Sequence, residues 1–238
     1  MIHPRFSALV KKELRLYWNS PIAYIFLVTF IGFVFWLFFR GFFLVSQADL
    51  RGFFSVLPWV FLFLIPALTM RLWSEEYRQG TIETLLTSSI TIPEAVAAKF
   101  AASFIFLAIA LAATFSLPIS VSFLGNLDWG IIATSYIGAL LLGGSYLSIG
   151  IFLSSITSNQ IVAFITSVIL AFAFFIIGET IVTFTLPNFL VSLFEFFGLG
   201  QHYNSIIRGV IDTRDLLFYF SFIFFFLYLN VQTLKLKK

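Results

Sequence analysis

The chain has 238 residues, of which 60% are hydrophobic, 20% aromatic and only 11% charged, with 34 phenylalanines among them. Soluble domains run at about 45–50% apolar and about 25% charged, so this composition, with a mean hydropathy of +1.02, excludes an ordinary water-soluble domain and requires lipid. The net charge of +3 implies no nucleic-acid partner, and the absence of cysteine excludes disulfides, thiolate metal sites and cysteine nucleophiles.

Residues 1–20 carry neither the short apolar core nor the small-residue cleavage site of a secretory signal, so no part of the chain is expected to be removed. Within them Phe6, Leu9, Val10, Leu14, Tyr17 and Trp18 recur at helical spacing, with Arg5, Lys11, Lys12 and Arg15 on the remainder of the turn. The pattern predicts a helix lying in the membrane interface. It ends at Ser20-Pro21, because the residue before a proline is pushed out of the helical region. Lipid anchorage alone, or anchorage together with a grip on a cytoplasmic partner, both fit this helix.

Six uncharged apolar runs follow, at residues 22–39, 53–70, 100–124, 131–153, 161–178 and 216–234. Each approaches or exceeds the roughly 20 residues that cross a hydrocarbon core. An even number of spans puts both termini on one side. Placing that side in the cytoplasm leaves Arg5, Lys11, Lys12, Arg15, Arg71, Arg78, Lys99, Lys235, Lys237 and Lys238 inside, and only Arg40, Arg51, Arg208 and Arg214 outside. Every lysine is then inside, which satisfies the positive-inside rule. The second span carries Pro58 and Pro66, the third Pro118, and the fourth Gly138, Gly143, Gly144 and Gly150. In the fourth, small residues four apart, such as Ala139 with Gly143, Gly144 with Ser148 and Gly150 with Ser154, allow close helix approach within the bundle or between subunits.

The loop between the second and third spans is the most informative stretch. Gly80 is expected to break the helix descending from the second span. Beyond it Ile82, Leu85 and Leu86 form an apolar edge and Thr81, Glu83 and Thr84 a polar one, predicting a short amphipathic cytoplasmic helix within residues 73–91. Thr91-Ile92-Pro93-Glu94 has the form of a capping box with proline in the first turn. A helix from 92 to 124 would be about 50 Å long and would project into the cytoplasm.

Residues 185–215 form the long outer segment. Phe189, Leu190, Leu193, Phe194 and Phe197 make a helical apolar stripe, followed by Gly198, Gly200 and the polar group Gln201-His202-Tyr203-Asn204. This predicts a helix lying on or dipping into the outer leaflet. Glu179 is expected at the interface, hydrated by headgroups, and Phe194 and Phe197 as part of an exit lid. Ser154-Ser155-Ile156-Thr157-Ser158 is expected to be a short inside turn.

Pro66-Ala67-Leu68-Thr69-Met70-Arg71, then Glu75-Glu76, Arg78, Gly80-Thr81, Glu83 and Leu85-Leu86-Thr87 resemble the signature of ATP-binding-cassette type-2 permeases. The six-span plan, the basic first helix, Thr157-Ser158-Asn159-Gln160, and Arg208-Gly209-Val210-Ile211-Asp212 with Arg214-Asp215 extend the likeness over nearly the whole chain. Within the family the chain looks most like the gliding-motility permease branch. The resemblance implies an all-α integral membrane protein, one transmembrane domain over residues 1–238, in a bacterial inner membrane. It further implies that residues 73–91 are a coupling segment, with Glu75, Glu76, Arg78, Gly80, Thr81 and Glu83 facing a separate ATPase subunit. Six spans are then half of a transporter, paired with a second permease copy or paralogue, and export is the expected direction.

No G-x-x-x-x-G-K-[ST] sequence occurs, so the chain lacks a phosphate-cradling loop. ATP and magnesium are expected on the partner, with no cofactor in this chain. His3 and His202 are far apart and near no metal-spaced cluster. Two other classes remain. One is a membrane scaffold in a motility or secretion machine whose assembly an ATPase regulates. The other is an intramembrane enzyme using Glu179, His202 or Asp212, for which no nucleophile pairs with these groups in sequence.

Overall fold

The computed structural model describes residues 4–45, 49–82, 90–184 and 187–237, which form twelve helices and no strand. Helix α1 (Pro4–Trp18) ends at Ser20-Pro21 as the sequence dictates and gives way to α2 (Pro21–Val45). Helix α3 (Arg51–Thr69) follows, then the short α4 (Ser74–Gln79). Next come α5 (Ile92–Ala113), α6 (Ser116–Ser122), α7 (Trp129–Ile156) and α8 (Gln160–Ile176). The outer segment holds α9 (Thr180–Thr183), α10 (Asn188–Phe197) and α11 (Leu199–Ile206), and α12 (Thr213–Leu236) closes the chain.

Helices α2, α3, α5 continued by α6, α7 and α12 are each long and apolar enough to cross a membrane, whereas α8 has 17 residues and falls just short. Helix caps follow the local chemistry. Thr91 and Glu94 form the predicted reciprocal box, Thr91 N–H donating to Glu94 Oε2 at 2.9 Å and Glu94 N–H to Thr91 Oγ1 at 3.4 Å. Asp128, Asn159 and Asp212 accept from the first amides of α7, α8 and α12.

The expected unbroken helix from 92 to 124 is instead two helices, divided at Thr114–Phe115. Pro118 explains the division: it has no N–H for the Thr114 carbonyl, and its ring clashes with the carbonyl four residues back. The freed polar groups are satisfied locally. Thr114 Oγ1 donates to Leu111 O at 2.6 Å and lies 3.1 Å from the Tyr136 hydroxyl.

Helix α7 is the axis of the bundle and packs against α3, α5, α8, α11 and α12. Residue pairings fix the directions. Gly143 faces Phe61 and Ile65, and Gly150 faces Thr69, so α3 and α7 run the same way. Phe152 meets Phe226 and Gly144 meets Ile223, so α12 runs with them. Phe30 stacks on Phe61 and Phe38 meets Phe53 edge to face, Thr114 meets Tyr136 while Leu107 meets Gly143, and Trp59 meets Phe175 while Glu75 meets Gln160. Helices α2, α5 and α8 therefore run antiparallel to α3, α7 and α12. Both described ends of the chain lie at one end of the bundle, α1 beside Lys99 and Lys237 beside Ile156.

Lipid tails are as apolar as leucine, so helices in a bilayer associate through close packing and not through water exclusion. The glycines of α7 supply that closeness inside the chain. A Cβ at Gly138 would meet Ile206 at 2.9 Å, one at Gly144 would meet Phe104 at 3.1 Å and Ile223 at 3.2 Å, and one at Gly150 would meet Thr69 Cβ at 2.9 Å. Overpacking of this kind costs about 1–3 kcal/mol. Gly150→Ala is expected to lower the melting temperature of the detergent-purified protein, and adding Thr69→Ala to recover part of the loss, both read by thermal unfolding.

Candidate functional site

The predicted coupling residues sit at the end of the bundle shared by the two described termini. The chain does not run helically from α3 to Gly80. It breaks earlier, in a turn at residues 70–73, and Ser154 holds the break. Its hydroxyl accepts from Trp73 N–H at 3.1 Å and Ser74 N–H at 3.2 Å, and donates to Met70 O at 3.0 Å. One side chain thus satisfies both the first amides of α4 and a last carbonyl of α3, the groups that helix ends leave orphaned. Ser154 and Ser155 are buried in the last turn of α7, so the expected inside turn is confined to residues 157–159.

Gly80 ends α4 with φ of 70°, a left-handed conformation that glycine adopts without steric cost. Thr81 and Ile82 are helical where description stops. Glu83, with Thr84, Leu85 and Leu86, lies outside the described residues.

Beneath α4 lies a buried ion cluster. Lys99 of α5, 4% exposed, places its ammonium 2.7 Å from Glu76 and 3.4 Å from both carboxylate oxygens of Glu13 on α1. The side chains of Glu13 and Glu76 are 6% and 20% exposed. The Lys99 ammonium also lies 4.8 Å from the centre of the fully buried Trp73 ring, a favourable cation–π distance. Beside the cluster, Ser103 Oγ donates to Lys99 O at 2.8 Å and sits 2.8 Å from the Tyr17 hydroxyl, while Tyr17 stacks on Phe106 at 5.2 Å. Helix α1 is therefore bolted along α5 by a polar face as well as an apolar one.

Glu75 points the other way. It accepts from Arg78 at 2.8 Å, from Gln79 at 2.7 Å and from Gln160 at the start of α8. The Arg78 hydrogen bond, against burial and with help from Gln79, holds the Glu75 carboxyl below the usual carboxylate range. Lys237, after α12, donates to Ser155 O at 3.0 Å and Ile156 O at 2.8 Å, and stands over the Tyr77 ring at 4.4 Å. Burial there pulls its ammonium down from its ordinary value.

The five predicted positions that are described thus divide by role. Glu75 and Glu76 turn back into the protein, while Arg78, Gly80 and Thr81 are exposed, Arg78 by 65%. Of the residues that complete the cluster, the sequence pointed to Ser154 only as a small packing residue and to Gln160 only as part of the family likeness, and it did not single out Glu13 or Lys99 for the site. Lys99 read only as an inside charge, and Glu13 was hidden in a basic helix. Both stand at positions where an ionisable residue interrupts an apolar helical face, which is the signal that could have found them.

At the opposite end, α11 enters the bundle. Leu199, Tyr203 and Ile206 are buried, Tyr203 OH donates to Phe54 O at 2.7 Å, and Gln201 Nε2 donates to Gly178 O at 2.6 Å. A Cβ at Gly198 would lie 2.6 Å from Gly178 Cα, so the backbones of α8's end and the α10–α11 joint touch. Glu179 accepts from Asn204 Nδ2 at 3.2 Å and is half-buried against α11. Phe197 is exposed beside it on α10. His202 Nδ1 lies 2.6 Å from Asp215 Oδ1, and its Nε2 donates to Phe196 O at 3.0 Å. Both ring nitrogens are engaged. Among the described residues no group of three His, Asp or Glu side chains is placed to hold a metal.

The elbow is thus exposed and charged on one side, and on the other is tied to α1, α5, α7 and α8 and joined to α3. The family model described as ABC-2 family transporter protein matches residues 43–234. The chain belongs to the ABC-2 transporter family. No curated protein matches it. As an ABC-2 permease it is a multi-pass membrane protein of transport, and the match takes in the elbow and the outer segment, leaving out α1 and all but the last three residues of α2.

Breaking a buried ion pair by removing one partner costs about 3–5 kcal/mol, whereas replacing the whole group by apolar or neutral residues is often close to neutral. Lys99→Met is accordingly expected to destabilise the ABC-2 permease strongly in thermal unfolding. The triple variant Glu13→Gln, Lys99→Met, Glu76→Gln is expected to recover most of that loss.

Proposed function

We propose that this chain is the membrane subunit of an ATP-driven exporter, powered by a separate ATPase that presses on the α4 elbow. The observation that carries this reading is the strapping of α4. Glu76 ties it to α5 and α1 through Lys99, Ser154 ties it to α7, Gln160 to α8, and the 70–73 turn to α3. A load on so short a helix is passed to five others instead of being absorbed by a loose loop. The exposed side of the elbow, formed by Arg78, Gln79 and Thr81, is the side free to meet a partner.

The alternating directions of α2, α3, α5, α7, α8 and α12 support six crossings with both termini cytoplasmic. Helix α8 crosses with 17 helical residues, about 25 Å at 1.5 Å each, completed by Ile177 and Gly178. Helix α1 then lies at the inner interface, and α10 and α11 at the outer face. Pro118 and the 70–73 turn give α5–α6 and α3–α4 the joints about which two states can differ. Two copies, or one copy with a paralogue, complete the transporter in a bacterial inner membrane, and the gliding-motility branch is the one whose members the sequence most resembles.

Thr81→Trp tests the partner without touching Glu75, Glu76 or their ties, because Thr81 is exposed at the end of the elbow. A bulky side chain built into a contact surface clashes with the partner, so the variant is expected to retain at least about tenfold less ATPase in an affinity pull-down, at unchanged melting temperature. A wild-type permease that purifies folded and brings down no ATP-hydrolysing protein overturns the proposal.

A further inference from the structure

On the outer half of the protein, α8, α10, α11 and α12 enclose an open groove of about 850 Å³. Its outer end is charged. Glu195, Asp212 and Asp215 supply three carboxylates, against the single guanidinium of Arg214 and the His202 imidazole. Below them the wall is phenylalanine, with Phe174 on α8 and Phe222, Phe225 and Phe226 on α12. From Asp215 to Phe226 is eleven residues of helix, about 16 Å. That is half of a hydrocarbon core about 30 Å thick, so the groove has the polarity and the length of one lipid leaflet.

Asp215 is the unusual member of the charged end. Its side chain is 9% exposed, Oδ1 takes the His202 contact, and Oδ2 is buried with no hydrogen-bond partner among the described residues. A buried carboxylate oxygen without a donor carries an uncompensated desolvation penalty, which a ligand able to donate relieves. The surplus of carboxylates selects a cation, and Arg214, exposed at the same rim, matches a phosphate.

We propose that this groove is a binding site for an outer-leaflet phospholipid with a primary-ammonium headgroup. The ammonium is taken by the Asp215 end, the phosphate by Arg214, and one acyl chain runs along Phe222, Phe225 and Phe226. A primary ammonium offers three N–H donors. A trimethylammonium headgroup carries the same charge and none, so the two distinguish a donor-seeking site from a merely acidic one. The inference rests on the outward placement of α10 and α11 proposed above and not on any ATPase.

Native mass spectrometry of the delipidated full-length chain tests it, titrating phosphatidylethanolamine, phosphatidylcholine and phosphatidylglycerol of identical acyl chains. Phosphatidylethanolamine is expected to bind at about tenfold lower concentration than phosphatidylcholine, the value of one charge-assisted hydrogen bond. Asp215→Asn is expected to erase that preference. Because that change also disturbs His202, Ser221→Trp is the second variant. Ser221 is exposed on the groove wall below Asp215, and its replacement fills the chain track, lowering adducts of all three lipids at unchanged melting temperature. Equal binding of the ethanolamine and choline lipids overturns the proposal. So do undiminished adducts in Ser221→Trp, or a lipid-free dimer whose partner copy fills the groove. None of these outcomes bears on whether an ATPase co-purifies, so the two proposals fail separately.

Discussion

A lysine ammonium taken out of water must be paired, and Lys99 is almost wholly out of water. The arrangement of the inner end follows from that requirement. Glu13 can reach the ammonium only if α1 lies along α5, Glu76 only if α4 folds back beneath α3, and Trp73 only if the 70–73 turn carries its ring inward. Such a cluster adds little net stability compared with an apolar replacement. Its consequence is geometric: three helices distant in sequence share one charge, and none can shift without exposing or unpairing it.

The rest of the bundle gives that cluster something to pull on. Helix α5 carries Lys99 at its inner end and Leu107 against Gly143 of α7 further along. Helix α7 carries Ser154 at its inner end and Gly138 against Ile206 of α11 at its outer end. A displacement at the elbow therefore has a packed route to α11, whose Tyr203 is anchored on the α3 backbone. Because these contacts are close and glycine-mediated, the route is stiff along its length and interrupted only where Pro118 and the 70–73 turn break the helices.

Hydropathy made the helices legible because a long apolar run crossing a bilayer satisfies its own backbone only as a helix, and Thr91, Glu94 and Pro21 marked helix ends correctly, whereas Gly80 ends only α4, the helix of the second span having already broken at 70–73. The misses have a common cause. Apolar periodicity reports the oily side of a helix but cannot say which polar residue turns inward. Lys99 looked like a topology signal, Glu13 drew no notice in a basic helix, and the Gln201 to Asn204 group read as the polar stretch after a helix on the outer leaflet, whereas Tyr203 is buried and Gln201 and Asn204 bond inward. Glu75 and Glu76 were located with the elbow, yet they face the protein's own helices and leave Arg78 and Thr81 outermost. The break before Pro118 was foreseeable from proline chemistry, but the tolerance of membrane helices for proline concealed it.

If Lys99 binds α1, α4 and α5 into one unit, removing its charge must release α1 and α4 together. Hydrogen–deuterium exchange on the full-length protein in micelles reads this residue by residue, comparing wild type with Lys99→Met. The expected result is a joint loss of protection in Glu13 and its neighbours on α1 and in Ser74–Gln79, with the middle of α7 unchanged. Protection lost on one helix while the other keeps its own would contradict the shared-charge unit, and with it the transmission of force through the elbow.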